Sequence, residues 1–161
     1  MNELRKVERR DSKKQEVRAL VEKAKATCYS FFQDDYRYSD FEAIEELGLD
    51  DELIHQLVED YVIQIIKSVD QFRELLDKLQ DTKNANEELN FKELRELAHK
   101  NLGVARNLRI KDGEVILNDL MKKDDLTHLF VCLETLKACA IRLKPECAFN
   151  TIKLIEVKNT F

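Results

Sequence analysis

The sequence predicts an all-α protein: an up-and-down antiparallel four-helix bundle with an additional N-terminal helix and a short leading helix. Three observations point there. Chain-breakers are scarce, with 3 glycines and 1 proline in 161 residues, where average usage of the two types is about 12%. Sandwiches, barrels and doubly wound sheets need many tight turns built on those residues. Apolar residues recur at helical spacings along most of the chain. The connections after Leu53 are short and polar, which favours antiparallel neighbours.

The first dozen residues are polar without apolar periodicity, and the first helix is expected from about Lys14, on a stripe of Val17, Leu20, Val21, Ala24, Cys28 and Phe31. Gln33 to Ser39 reads as an acidic, tyrosine-containing loop. Asp40 is placed as the cap of a short helix carrying Phe41, Ile44 and Leu47, which Gly48 stops. Asp50 then caps a long helix over about 51–80, whose wide stripe runs from Leu53 through Val58, Val62, Ile65 and Phe72 to Leu79. Gln80 to Glu87 is read as a loop. Asn90, with Glu93 as a capping-box partner, opens a helix over about 90–108. Lys111 to Gly113 is read as a turn before a helix over about 113–122. Lys122 to Asp125 makes the next turn, and a helix over about 125–143 ends at Pro145. Residues 146–157 read as a terminal helix or an extended segment. These elements divide the chain into a charged, then helical N-terminal extension (1–39), a bundle (40–143) and a tail (144–161).

Charge narrows the function classes. The net charge is −5, which argues against nucleic-acid binding. Residues 1–25 carry nine basic against five acidic side chains, and residues 34–60 carry eleven acids against Arg37 alone. Because acids are interspersed in the basic start, it reads as a solvated helix or linker rather than a nucleic-acid or membrane-surface arm. Met1 to Arg10 is charged with no apolar core behind it, so no secretory leader is expected. No apolar run is long enough to span a bilayer. The four cysteines, Cys28, Cys132, Cys139 and Cys147, are expected to be reduced in a cytoplasm.

The helix over 90–108 carries the chemistry. On a wheel of about 100° per residue, Phe91, Leu94, Leu97, Ala98, Ala105 and Leu108 share one side. His99 falls nearly opposite, with Lys92, Glu96, Gly103 and Arg106 on its face and Arg95 and Lys100 at the flanks. A glycine inside a helix costs about 1 kcal/mol relative to alanine. Gly103 stands one turn after His99, where no core packing requires a small residue, so its role is to leave space beside the imidazole. A partner can then approach the ring closely, and nearby cations can stabilise a phosphorylated form. Imidazole is a good nucleophile near neutral pH.

The segment Leu97 to Leu108, reading L-A-H-K-N-L-G-V-A-R-N-L, resembles the signature of the histidine-containing phosphotransfer (HPt) family. His99, Gly103, Ala105, Asn107 and Leu108 stand where that pattern expects them, and the resemblance extends over roughly residues 40–143. Two positions depart from it. The family has an apolar residue two after the histidine and a lysine three after it, where this chain has Asn101 and Leu102. The wheel places Asn101 within the buried stripe, needing a hydrogen-bond partner there, and Leu102 at the stripe's edge. The resemblance implies a phosphorelay protein with His99 as phosphoacceptor. Lys92, Arg95, Lys100, Gly103 and Arg106 would dock the partner or stabilise the phosphoryl group. The partners implied are response-regulator receiver domains and a hybrid sensor kinase. The chain would need no cofactor of its own, because Mg²⁺ is expected on the receiver. No kinase activity is expected, since no nucleotide-binding segment is present. The second reading is a non-catalytic helical adaptor on the same scaffold, which Asn101 and Leu102 favour.

Other constellations have plainer readings. His128, Cys132 and Cys139 share a helix face, and a His/Cys metal site could be drawn from them. Their spacing matches no common zinc pattern, and cysteines are often small buried hydrophobes, so no metal is assigned. His55 reads as a surface residue. Phe31, Phe32, Tyr36 and Tyr38 read as packing where the first helix folds onto the bundle.

Overall fold

The computed structural model describes residues 2–160. Among the described residues there are seven α-helices and no strand. They are α1 (Asn2–Phe32), α2 (Phe41–Leu47), α3 (Asp51–Asn84), α4 (Lys92–Asn107), α5 (Lys111–Lys122), α6 (Leu126–Leu143) and α7 (Pro145–Thr160). None is long and apolar enough to cross a membrane.

Helix α1 begins at Asn2, a dozen residues before the expected start. Residues 3–12 are exposed throughout, so nothing imposes an apolar period on them. Their Leu, Arg, Lys and Glu residues have high helix propensity and extend a helix that packing nucleates further on. The buried contribution of α1 comes late, from Ala24 and Cys28.

Gly48 closes α2 in the left-handed conformation at φ 64°, and its N–H donates to Ile44 O at 3.0 Å. Asp40, in contrast to its expected role, makes no side-chain cap. Its carboxylate turns to His55, 3.4 Å from Nε2. Phe41 is 62% exposed, and α2 seats instead on Ala43, which packs with Ile54 and Val58. Asp50 caps α3 as expected, accepting from Leu53 N at 2.8 Å. The helix then runs to Asn84, four residues beyond 80, with Thr82 Oγ1 donating to Lys78 O at 2.8 Å within its last turns.

At the start of α4, Asn90 Oδ1 accepts from Lys92 N at 3.0 Å. The helix proper starts two residues after Asn90, with Phe91 at the cap position. The turn between α4 and α5 lies at Leu108–Ile110, not at Lys111–Gly113. Arg109 adopts φ 61° there, a conformation that glycine usually supplies. Its guanidinium is held by Glu46 Oε2 at 2.7 Å and by Arg106 O at 2.7 Å. Gly113 consequently lies inside α5 and is buried. A Cβ at that position would overlap the Tyr61 hydroxyl. Asp125 caps α6 through Thr127 N at 3.1 Å. Pro145 begins α7 at the first-turn position proline tolerates, since the N–H it lacks has no helical partner there.

Helix α3 packs on α4, α4 on α5, α5 on α6, and α6 returns to α3, so the four contacts close a circuit. Helix α7 lies against α3 and α6, and α1 against α6 and α7. One apolar cluster runs through this assembly, with Ile65, Phe72, Leu76, Leu102, Leu117, Leu129 and Leu136 among its members. Two tyrosines of the 33–40 connection fasten it to the α4–α5 turn. Tyr38 donates to Leu108 O at 2.8 Å, and Tyr36 accepts from Lys111 N at 3.3 Å.

Candidate functional site

The stripe of α4 that faces the core comprises Leu94, Ala98, Asn101, Leu102 and Ala105. The opposite face carries His99, which is exposed. Gly103 is exposed one turn later, and a Cβ built there would have no atom within 4 Å. The space beside the imidazole is therefore open, and no neighbour within the chain accounts for the glycine.

The cations divide into two groups. Lys92 and Lys100 are exposed, and Arg106 is exposed while pairing with Glu114 Oε1 at 3.3 Å. Arg95 is engaged elsewhere. Its Nη1 donates to Leu120 O at 2.9 Å and to Lys123 O at 2.7 Å. It also lies 4.7 Å from the Phe91 ring centroid. It serves as the C-terminal cap of α5, where a cation also meets the negative end of the helix dipole. The face of α4 around His99 thus carries Glu96, Lys100, Gly103 and Arg106, all exposed.

Asn101 is 1% exposed and has the partner its position requires. Its Nδ2 donates to Ser68 Oγ at 3.1 Å and to Leu97 O at 2.9 Å, binding α4 to α3. Leu102 is 2% exposed and belongs to the core rather than its edge.

Cys139 does not converge with His128 and Cys132. Its Sγ lies 3.5 Å from Cys28 Sγ on α1. Hydrogen bonding by Cys139 lowers the Cys28 thiol, whereas the same contact, together with burial, raises Cys139. Beside this pair, burial raises the carboxyl of Asp112. Asp112, Cys139, Arg142, Tyr36 and Lys25 help line a cleft of about 290 Å³. His128 meets Asp119 of α5 instead, with Nε2 2.9 Å from Oδ2, and Cys132 Sγ lies 3.5 Å from the same Nε2. Burial, reinforced by the Asp119 charge, pushes the Cys132 thiol up to about 12. His55 bridges Asp40 and Asp51 at 3.4 and 3.3 Å from Nε2, while Lys144 Nζ lies 3.2 Å from Nδ1. Phe31 and Phe32 pack edge to face at 4.8 Å.

Sequence reasoning missed the roles of Asp112 and Asp119. Asp119 lies nine residues before His128, and only the packing of α6 on α5 brings the two together. No local pattern announces that. No known protein family, curated protein or solved structure matches the chain.

Proposed function

We propose that this chain is a cytoplasmic histidine phosphotransfer protein. The observation that carries the reading is an exposed His99 midway along α4 with open space at Gly103 one turn on. In this reading the α3–α6 circuit is an up-and-down antiparallel four-helix bundle, and the α4 face docks a response-regulator receiver domain.

An unprotonated imidazole nitrogen of His99 attacks the phosphorus of an aspartyl phosphate on the receiver. The N–P bond forms as the acyl phosphate O–P bond breaks, and the aspartate leaves as a carboxylate. The second ring nitrogen keeps its hydrogen. Lys100, next to His99, and Arg106, two turns on and paired with Glu114 at 3.3 Å, are the cations this reading assigns to offset the phosphoryl charge. The receiver supplies Mg²⁺, and the reverse reaction passes the phosphoryl group on.

Incubation with phosphorylated receivers of the same organism is expected to give acid-labile, base-stable label on the wild type and none on His99→Gln. Absence of label with every receiver, or label that persists in the variant, overturns the proposal. One observation favours the adaptor reading. Position 102, where the HPt pattern has lysine, holds a leucine buried in the core. An adaptor would bind receivers with equal affinity in wild type and His99→Gln while taking up no label.

A further inference from the structure

We propose that Asp119, His128 and Cys132 form a binding site for a divalent transition metal of zinc-like softness. The three donors come from two helices. Asp119 is on the last turn but one of α5, and His128 and Cys132 are four residues apart on α6. Their ligand atoms all lie within 4.8 Å of one another.

The geometry fits four-coordinate binding. Metal–ligand bonds of about 2.0–2.3 Å imply ligand–ligand edges of roughly 3.3–3.7 Å in a tetrahedron. The His128 Nε2–Cys132 Sγ separation is 3.5 Å, and the Nε2–Asp119 Oδ2 separation of 2.9 Å opens to that range with a small rotation. The Phe31 ring of α1 stacks on the His128 ring, 6.1 Å between centroids at 26°.

One atom makes both contacts, and that is the chemical point. A neutral imidazole offers at Nε2 either a hydrogen or a lone pair. A hydrogen there serves Asp119 and leaves the thiol only a weak contact. A lone pair serves the thiol and faces the carboxylate unfavourably. A cation where the three meet uses one lone pair from each, and the Cys132 S–H proton leaves to solvent as the metal–sulfur bond forms. Mixed sulfur, imidazole and carboxylate donors suit Zn²⁺ or Co²⁺ and disfavour Mg²⁺ and Ca²⁺. The fourth ligand is water, because His128 and Asp119 side chains are 35% and 23% exposed. Bound there, the metal fastens the turn between α5 and α6.

The test is titration of the metal-free full chain with Co²⁺. One equivalent is expected to produce a thiolate-to-cobalt charge-transfer band in the near ultraviolet, which Zn²⁺ displaces. Cys132→Ser should abolish the band, and Asp119→Asn, which exchanges an anionic ligand for a neutral one, should weaken binding measurably. Cys28→Ser and Cys139→Ser should leave it unchanged. The acidic cluster around His55 has no sulfur, so metal bound there gives no such band. Should Cys132→Ser fail to fold by circular dichroism, His128→Gln takes its place, and Zn²⁺ should raise the Tm of wild type but not of that variant. The proposal is overturned by the absence of a saturable band, by a band that survives Cys132→Ser, or by equal Zn²⁺-dependent Tm shifts in wild type and His128→Gln. None of these readouts involves His99, so the outcome is independent of phosphotransfer.

Discussion

Gly103 and Gly113 are both helix-interior glycines, and the structure separates them by what surrounds the missing side chain. At Gly103 a Cβ meets nothing. Gly103→Ala is therefore expected to stabilise the chain by about 0.5–1 kcal/mol, because alanine loses less backbone entropy in a helix. Under the proposed phosphotransfer role its cost would fall on the partner, and phosphoryl uptake at His99 should slow. Urea unfolding and uptake kinetics on one variant check both halves, and a destabilised Gly103→Ala would contradict the open geometry. At Gly113 a Cβ overlaps the Tyr61 hydroxyl inside the core. Gly113→Ala is expected to destabilise by about 1–3 kcal/mol through overpacking. Adding Tyr61→Phe, which removes the obstructing oxygen, should recover part of that loss in the same unfolding measurement.

Arg95 joins two helices, since it leaves the exposed His99 side of α4 to cap α5. Arg95→Ala is expected to cost about 1–2 kcal/mol, the loss of charge-assisted bonds to carbonyls at a partly exposed helix end. Lys92→Ala, at an exposed position, should change stability by less than about 0.5 kcal/mol. Equal effects of the two in urea unfolding would remove the capping role. The interiors of the helices were legible in the sequence because α3, α4, α5 and α6 each bury a continuous stripe, and stripes are what periodicity detects. Their ends were less so. Residues 3–12 of α1 are exposed and bury no stripe, so propensity extends the helix there. The α4–α5 turn was misplaced onto Gly113 because Lys-Asp-Gly resembles a turn locally. The true turn uses Arg109 in a left-handed conformation held by Glu46, 63 positions earlier. For the candidate site, the wheel correctly put His99 and Gly103 on the exposed face and Asn101 within the buried stripe. It could not show that Arg95 reaches α5, nor that Asp119 joins His128 and Cys132.

Burial acts on acids across the whole molecule in one direction. Tyr61 is raised well above its ordinary value by desolvation, Tyr38 is pushed up to about 12, and Tyr36 is raised as well, each chiefly by burial. Cys132 and Cys147 are also raised, again chiefly by burial. In each case the folded state holds its proton more tightly than the unfolded chain. Their contribution is fully present below the unfolded values of 9.0 for thiols and 10.0 for phenols. It is lost as pH rises through the folded values. Alkaline unfolding is therefore expected to set in above about pH 9, and Tyr61→Phe should move its midpoint upward when followed by circular dichroism. An unchanged midpoint would show that Tyr61 does not contribute. The pairing of α1 with α6 has a further consequence, in the order of synthesis. Cys28 meets Cys139, 111 residues later. At about 5–20 residues per second, α1 waits on the order of 5–20 s on the ribosome before its docking partner exists. In that interval Phe31, Phe32 and the Val17–Ala24 stripe have no native cover. The nine basic and five acidic residues of the first 25 then serve as a solubilising jacket for a nascent chain that cannot yet close.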